Sequence, residues 1–308
     1  MTLRLISLAA VLLCGACSPP DDDAPPPRVV ELAGPCAPDQ RHGAFVVEVL
    51  ETYSVAFGHL ADGMVPVTVL EEVLSEGACS LLRRNNPFCD PTCEPGQTCD
   101  FDGTCIPYPT NLNLGTVTIR GLVDEVVMEA QPPTFRYSEP SLTHPGFLPG
   151  SDVYLDSEGG EAEPLALESR GFAALELPTD LAVTMEEGVA VDLAWEPGAE
   201  GARLQAEVNV DQHGVTPVVI RCDFEDTGSA EIPASVVDAL LGFGVSGFPN
   251  AMLTRRVDDS MTVGGGCVEF GLSSPRQVPV EVSGHTPCAG PQDCPPGRTC
   301  DVATNTCI

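Results

Sequence analysis

Val189-Ala190-Val191-Asp192-Leu193-Ala194-Trp195 and Arg203-Leu204-Gln205-Ala206-Glu207-Val208-Asn209-Val210 are the stretches that decide the fold class. In both, alternate side chains can face a core while the acids and amides between them face water, the period of a half-buried strand. Glu196-Pro197-Gly198 supplies the turn that ends the first of them. Trp195 is the single tryptophan of the chain, and its place on an alternating strand favours a core anchor over a ligand platform.

Working outward, Thr116-Val117-Thr118-Ile119-Arg120 reads as a strand in the same way. So do Val218 to Phe224, Ala251 to Arg255, Cys267 to Phe270 and Val278 to Val282. Ser235 to Leu241 looks like one short helix after Pro233, stopped by Gly242. Many short strands with turns and one helical insertion make residues 111–284 an expected β-sandwich region. An N-terminal β region is expected over residues 29–80. There, Ala44 to Phe57 gives one long or two short strands, and Val65 to Leu70 gives an edge strand that tolerates Pro66. The fold class is therefore all-β, a β-sandwich core with two small disulfide-rich modules.

The modules are an internal repeat. Cys89, Cys93, Cys99 and Cys105 enclose almost no apolar side chain, and Cys288, Cys294, Cys300 and Cys307 repeat the pattern. In each copy Pro-Gly, one variable residue, Thr, Cys and Asp follow in the same order, at Pro95 to Asp100 and Pro296 to Asp301. Modules at residues 89–105 and 288–307 have to replace a hydrophobic core with disulfides, and four cysteines allow three pairings that spacing does not separate. Structural zinc usually shows close cysteine pairs two to four residues apart, a spacing these segments do not repeat. Outside the modules, Cys36 and Cys79 bracket the N-terminal β region and are candidates to tie its ends. Cys222 and Cys267 fall on strands of the sandwich region and are expected to bridge there.

The chain begins with a charge at Arg4, an apolar run from Leu5 to Leu13, and then Cys14-Gly15-Ala16-Cys17. That is the pattern of a signal peptide over residues 1–16, too short to span a bilayer as a helix. A tether of aspartate and proline follows over residues 17–28. Cys17 is the expected lipidation site. Cysteine parity supports it: of 14 cysteines, Cys14 is lost on cleavage, and a lipid on Cys17 leaves twelve to pair.

Net charge is −31, and all 14 basic residues are arginine. An acidic chain without lysine is a poor partner for nucleic acid and excludes lysine Schiff-base chemistry. The expected partners are the lipid bilayer, through N-terminal acylation, and a glycan or surface protein. Catalytic patterns are absent from the sequence. His42, His59, His144, His213 and His285 form no zinc-protease motif. Gly244-Val245-Ser246-Gly247 lacks the glycine that a nucleophile elbow needs two residues after serine. Asp211-Gln212-His213-Gly214 places His213 as a candidate binding-loop residue, although a plain connection uses the same residue types. No catalytic residue, metal centre or cofactor is expected, apart from calcium held weakly by acidic turns. Asp100-Phe101-Asp102-Gly103 and Asp258-Asp259 are the constrained candidates, and solvated turns explain both more simply.

The Cys17 junction, the two modules, Leu193 to Gly198, and the span Cys222 to Pro233 containing Asp226-Thr227-Gly228-Ser229 together resemble cysteine-rich surface lipoproteins of myxobacteria and related deltaproteobacteria. The middle span resembles immunoglobulin or fibronectin type III sandwiches. The resemblance implies location and architecture, a lipid-anchored protein of the bacterial cell envelope at the outer membrane or cell surface, and brings no catalytic residues with it. The expected function is surface binding or structure. The alternative is a secreted hydrolase that acts on polysaccharide or peptide through paired carboxylates.

Overall fold

The longest strands form one hairpin, and the rest of the fold is arranged on it. In the computed structural model, which describes residues 31–179, 181–198, 201–210 and 218–308, Asn250–Val263 and Gly266–Val282 pair antiparallel from end to end. Cys17, the signal segment, the tether and His213 lie outside the described residues. In chain order the strands are β1 (Arg41–Val49), β2 (Ser54–Leu60), β3 (Leu70–Glu76), β4 (Cys79–Arg84), β5 (Gln97–Cys99), β6 (Cys105–Pro107), β7 (Thr116–Arg120), β8 (Val126–Glu129), β9 (Tyr137–Leu142) and β10 (Asp152–Ser157). They continue with β11 (Ala166–Arg170), β12 (Val183–Met185), β13 (Val191–Ala194), β14 (Arg203–Asn209), β15 (Val218–Glu225), β16 (Ser229–Ile232), β17 (Asn250–Val263), β18 (Gly266–Val282), β19 (Cys300–Asp301) and β20 (Thr306–Cys307). The helix α1 (Ala234–Leu241) starts after Pro233 and ends at Gly242.

One large sheet runs in the order β3-β4-β15-β14-β17-β18-β1-β2-β9, with β12 added alongside β18. A four-stranded sheet, β11-β10-β7-β8, faces it. Two hydrophobic clusters fill the space. Phe45, Val47, Leu60, Ile119, Leu155, Phe270 and Leu272 belong to the cluster under the four-stranded sheet. Trp195, Leu204, Val208, Ile220, Val237, Leu240 and Leu253 belong to the other, roofed by the β13–β16 pair and α1. Strand alternation carries β17 through both, with Leu253 in one cluster and Val257 in the other. Arg255, the inward residue between them, therefore falls on the seam.

The two expected strands Cys267 to Phe270 and Val278 to Val282 are one continuous strand in the structure, which also carries Pro275 and Pro279. Proline cannot donate a ladder hydrogen bond and is tolerated where one side of a strand is unpaired. The parallel partner β1 reaches only Ser273, and β12 begins its pairing at Val280. Both prolines sit in the gap between these neighbours.

The expected strand Val65 to Leu70 is instead a short 3-10 turn, Pro66–Thr68. Pro66 presets the turn, and the Thr68 hydroxyl donates to the Val65 carbonyl at 2.7 Å. The edge strand starts immediately afterwards as β3. Residues 41–84 also join the same sheet as residues 203–282, since β1 pairs with β18 and β4 with β15. That placement reassigns two disulfides. Cys36 bonds Cys267 and Cys79 bonds Cys222, in place of the expected Cys36–Cys79 and Cys222–Cys267 pairs. Cys79 and Cys222 stand directly opposite in the β4–β15 register. Cys267 pairs with Arg41 at the start of β1, next to the segment carrying Cys36.

Candidate functional site

The most completely organised polar site lies on the seam. Asp226 accepts four hydrogen bonds: from Trp195 Nε1 at 2.6 Å and Arg255 Nη2 at 3.3 Å on one oxygen, and from the Gly198 amide and Arg255 Nε, both at 2.8 Å, on the other. Arg255 also donates to the carbonyls of Ala173 and Ala174, at 2.8 and 3.2 Å, and to that of Glu196. Both side chains of the ion pair are 1% exposed. A buried pair is tolerated only when its remaining donors and acceptors are satisfied, as they are here. Trp195 is the expected core anchor, with its indole N–H used on Asp226. A Cβ on Gly198 would fall 2.4 Å from Arg255 Nε, so only glycine lets the backbone approach this closely. With both charged side chains sealed from solvent and hydrogen-bonded within the fold, this is structural cement between the two clusters.

The disulfide modules have the same connectivity, first cysteine to third and second to fourth. Cys89 bonds Cys99 and Cys93 bonds Cys105. Cys288 bonds Cys300 and Cys294 bonds Cys307. Three sulfurs in each module lie within 4.8 Å of one another. A disulfide sulfur has no thiolate to offer a metal, so coordination at either cluster requires prior reduction. Both modules end in a hairpin turn that exposes an apolar residue after an aspartate, Phe101 in one and Val302 in the other. Gly244-Val245-Ser246-Gly247 has a structural task. The Gly247 amide donates to the Thr304 carbonyl at 2.8 Å, and His285 Nε2 donates to the Gly247 carbonyl at 2.9 Å, seating the C-terminal module on this loop.

The acidic candidates divide. Asp100 Oδ1 accepts the Phe101 amide at 2.7 Å, and Asp102 Oδ1 accepts the amide and hydroxyl of Thr104 at 2.9 and 2.6 Å. The Thr104 bonds hold the Asp102 carboxyl below its ordinary range. Asp258 and Asp259 do not form a turn; they lie within β17. Asp259 faces inward and accepts the Ala33 and Glu168 amides at 2.9 and 3.1 Å. Asp258 lies on the opposite face over Gly271, paired to Arg256 at 2.8 Å. Burial pushes its carboxyl up to about 6, against the pull of Arg256 and with help from Glu269 and Asp223. Arg256 Nε and Ser273 Oγ, cross-strand neighbours beside it, are buried without hydrogen-bond partners.

Two further arrangements bear on catalysis. Ser54 Oγ lies 2.9 Å from His144 Nδ1, a nucleophile–base distance, but Ser54 is fully buried and its oxygen also accepts the Gly146 amide at 3.0 Å. It fastens the loop that follows β9. Beside that loop a depression of about 380 Å³ carries Asp124, Glu125 and Glu139, and the Thr143 hydroxyl donates to Asp124. A second depression of about 560 Å³ is lined by Glu186, Glu187 and Asp238 with Leu241, Val245 and Val282. Sequence reading missed the Arg255–Asp226 hub, although Ala251, Leu253 and Arg255 share one strand parity and so mark an arginine facing inward.

Searches with the sequence match no protein-family model and no curated protein. Among solved structures, the tetra-tandem repeat in the extending region of a large adhesion protein is similar at 10% identity and a TM-score of 0.19, covering 80% of this chain and 76% of that one. The FN1–FN3 domains of chicken CNTN1 are similar at 11% identity and a TM-score of 0.20, covering 79% and 99% respectively.

Proposed function

We propose that the chain is a lipid-anchored envelope protein, held to the bilayer through an acylated Cys17, whose folded part serves binding or structure at the outer membrane or cell surface. The observation that carries this reading is the cysteine ledger. The twelve cysteines from Cys36 to Cys307 are all consumed in six disulfides. Such bridges belong to an oxidising compartment and hence to an exported chain. Cys14 and Cys17 are the two left over. Cys14 falls within the expected signal segment, so Cys17 stands alone at the start of the acidic tether. A spare thiol there would be a liability in that compartment, and a thioether to lipid removes it. Binding partners of this reading are a surface protein or a neutral glycan, since a net charge of −31 repels polyanions.

The test is intact mass and peptide mapping of the protein purified from its native host. Acylated Cys17 at the mature N-terminus is the expected result, together with no thiol alkylated before reduction. An unmodified Cys17 overturns the anchor, and alkylation of module cysteines without reduction overturns the bridges.

A further inference from the structure

We propose that the chain is an inextensible mechanical link: tension applied between its N-terminal side and its C-terminal module runs through the Cys36–Cys267 bridge and along β18, bypassing nearly all of the fold. The setting, in which an anchored N-terminus is pulled against something held at the far end, rests on the attachment proposed above. The load path itself rests on connectivity and strand geometry.

Cys36 and Cys267 are separated by 231 residues in sequence and joined by one bond. Cys267 is the second residue of β18, which runs on to Val282. The C-terminal module begins six residues later at Cys288, where Cys288–Cys300 and Cys294–Cys307 shorten the remaining path. A strand of 17 residues spans about 55 Å at 3.3 Å per residue. The entry of the chain and its C-terminal module therefore lie at opposite ends of the long hairpin.

A β-strand is already within about a tenth of full extension. Pulling on the two ends of β18 thus asks its backbone to carry load without lengthening, and none of its ladders to β17, β1 or β12 has to shear. Residues 37–266 hang off this path as a closed loop. They hold the four-stranded sheet, the Arg255–Asp226 hub, the first module and α1, none of which feels tension. Inside that loop Cys79–Cys222 closes another 143 residues, a second safeguard should the first bridge be cut. The C-terminal module is also seated on the α1–β17 loop through Gly247, so its own junction is braced.

The experiment is single-molecule stretching of the full chain with handles at its two termini; residues ahead of Leu32 contribute equally in every arm. At a reach of about 3.5 Å per residue, the part of the oxidised protein from Cys36 onward is expected to lengthen by less than about 10 nm before the handles fail. Cys36→Ser with Cys267→Ser is expected to release about 31 nm, because Cys79–Cys222 still holds its loop. Full reduction is expected to release about 90 nm. A step of tens of nanometres in the oxidised wild type overturns the proposal. The reduced wild type keeps the comparison valid if the double variant does not fold. Lipidation is read separately by mass, so a failed anchor and a failed link give different results.

Discussion

Arg255 and Asp226 meet at 2.8 Å with both side chains 1% exposed, on the line where the two hydrophobic clusters touch. An ion pair in this position contributes little net stability compared with a well-packed apolar pair, but losing one partner is costly because the other charge stays buried. Asp226→Ala is expected to destabilise the fold by about 3–5 kcal/mol. It also strips the acceptor from Trp195 and Gly198. An apolar pair at both positions should not restore stability, since the carbonyls of Ala173, Ala174 and Glu196 would lose their donor. Chemical denaturation of the single and double variants checks this; full recovery in the double variant refutes it.

Asp258 gives a pH dependence of defined sign. Its carboxyl is raised from 3.8 to about 6 in the fold, so between those values the folded state binds the proton more tightly than the unfolded state. The favourable contribution is complete below about 4 and lost as pH rises through about 6. Asp258→Asn removes this titration. Wild type minus variant stability should fall by about 2 kcal/mol from pH 4 to pH 7, measured by denaturant titration at each pH. A flat difference means Asp258 is not buried as described.

Ser273 Oγ and Arg256 Nε are buried neighbours without partners. Burying an unsatisfied hydroxyl costs about 1–3 kcal/mol. Ser273→Ala is therefore expected to raise stability by about 1 kcal/mol, seen as a higher denaturation midpoint with an unchanged slope. A loss of stability would show that the hydroxyl is hydrogen-bonded in solution.

The disulfides should separate into two classes. Replacing Cys79 and Cys222 by serine opens a 143-residue loop in the large sheet and is expected to cost about 2–5 kcal/mol. Replacing Cys93 and Cys105, which close a loop of sequence separation 12 in the first module, should leave the melting of the sandwich within about 0.5 kcal/mol of wild type. Calorimetry of the two variants distinguishes them, and equal losses would mean that the module and the sheet unfold as one.

Local signals made the strands legible. The alternation of β13, β14 and β15, the helix between Pro233 and Gly242, and the repeated module all follow from short-range pattern. Partner choice did not. Nothing within Cys36 to Cys79 indicates that β1 will lie beside β18, because parallel pairing across more than 200 residues leaves no trace in either strand alone. The Cys36–Cys267 bridge is hidden from the sequence for that reason, and Cys79–Cys222 because the antiparallel pairing of β4 with β15 is equally silent in either strand alone. Pro275 and Pro279 are admitted within the continuous β18 because β1 and β12 leave a gap at those positions. The Arg255–Asp226 site was unread because its parts come from four segments distant in sequence. Cys17 and His213 lie outside the described residues, and their expected roles stand on sequence alone.

The parallel alliance of β1 with β18 also sets a timetable. Residues 41–49 are made more than 200 residues before residues 266–282, yet each needs the other to complete the middle of the large sheet. A chain emerging from its N-terminus first can zip β1 to β2 at once. It must then wait for more than 200 further residues before Phe45 and Val47 are covered from the other side. Pairings this distant are slow to close and expose sticky edges meanwhile. The nascent chain is thus most vulnerable to aggregation during the interval between these two strands, and that is when an escorting chaperone would matter most.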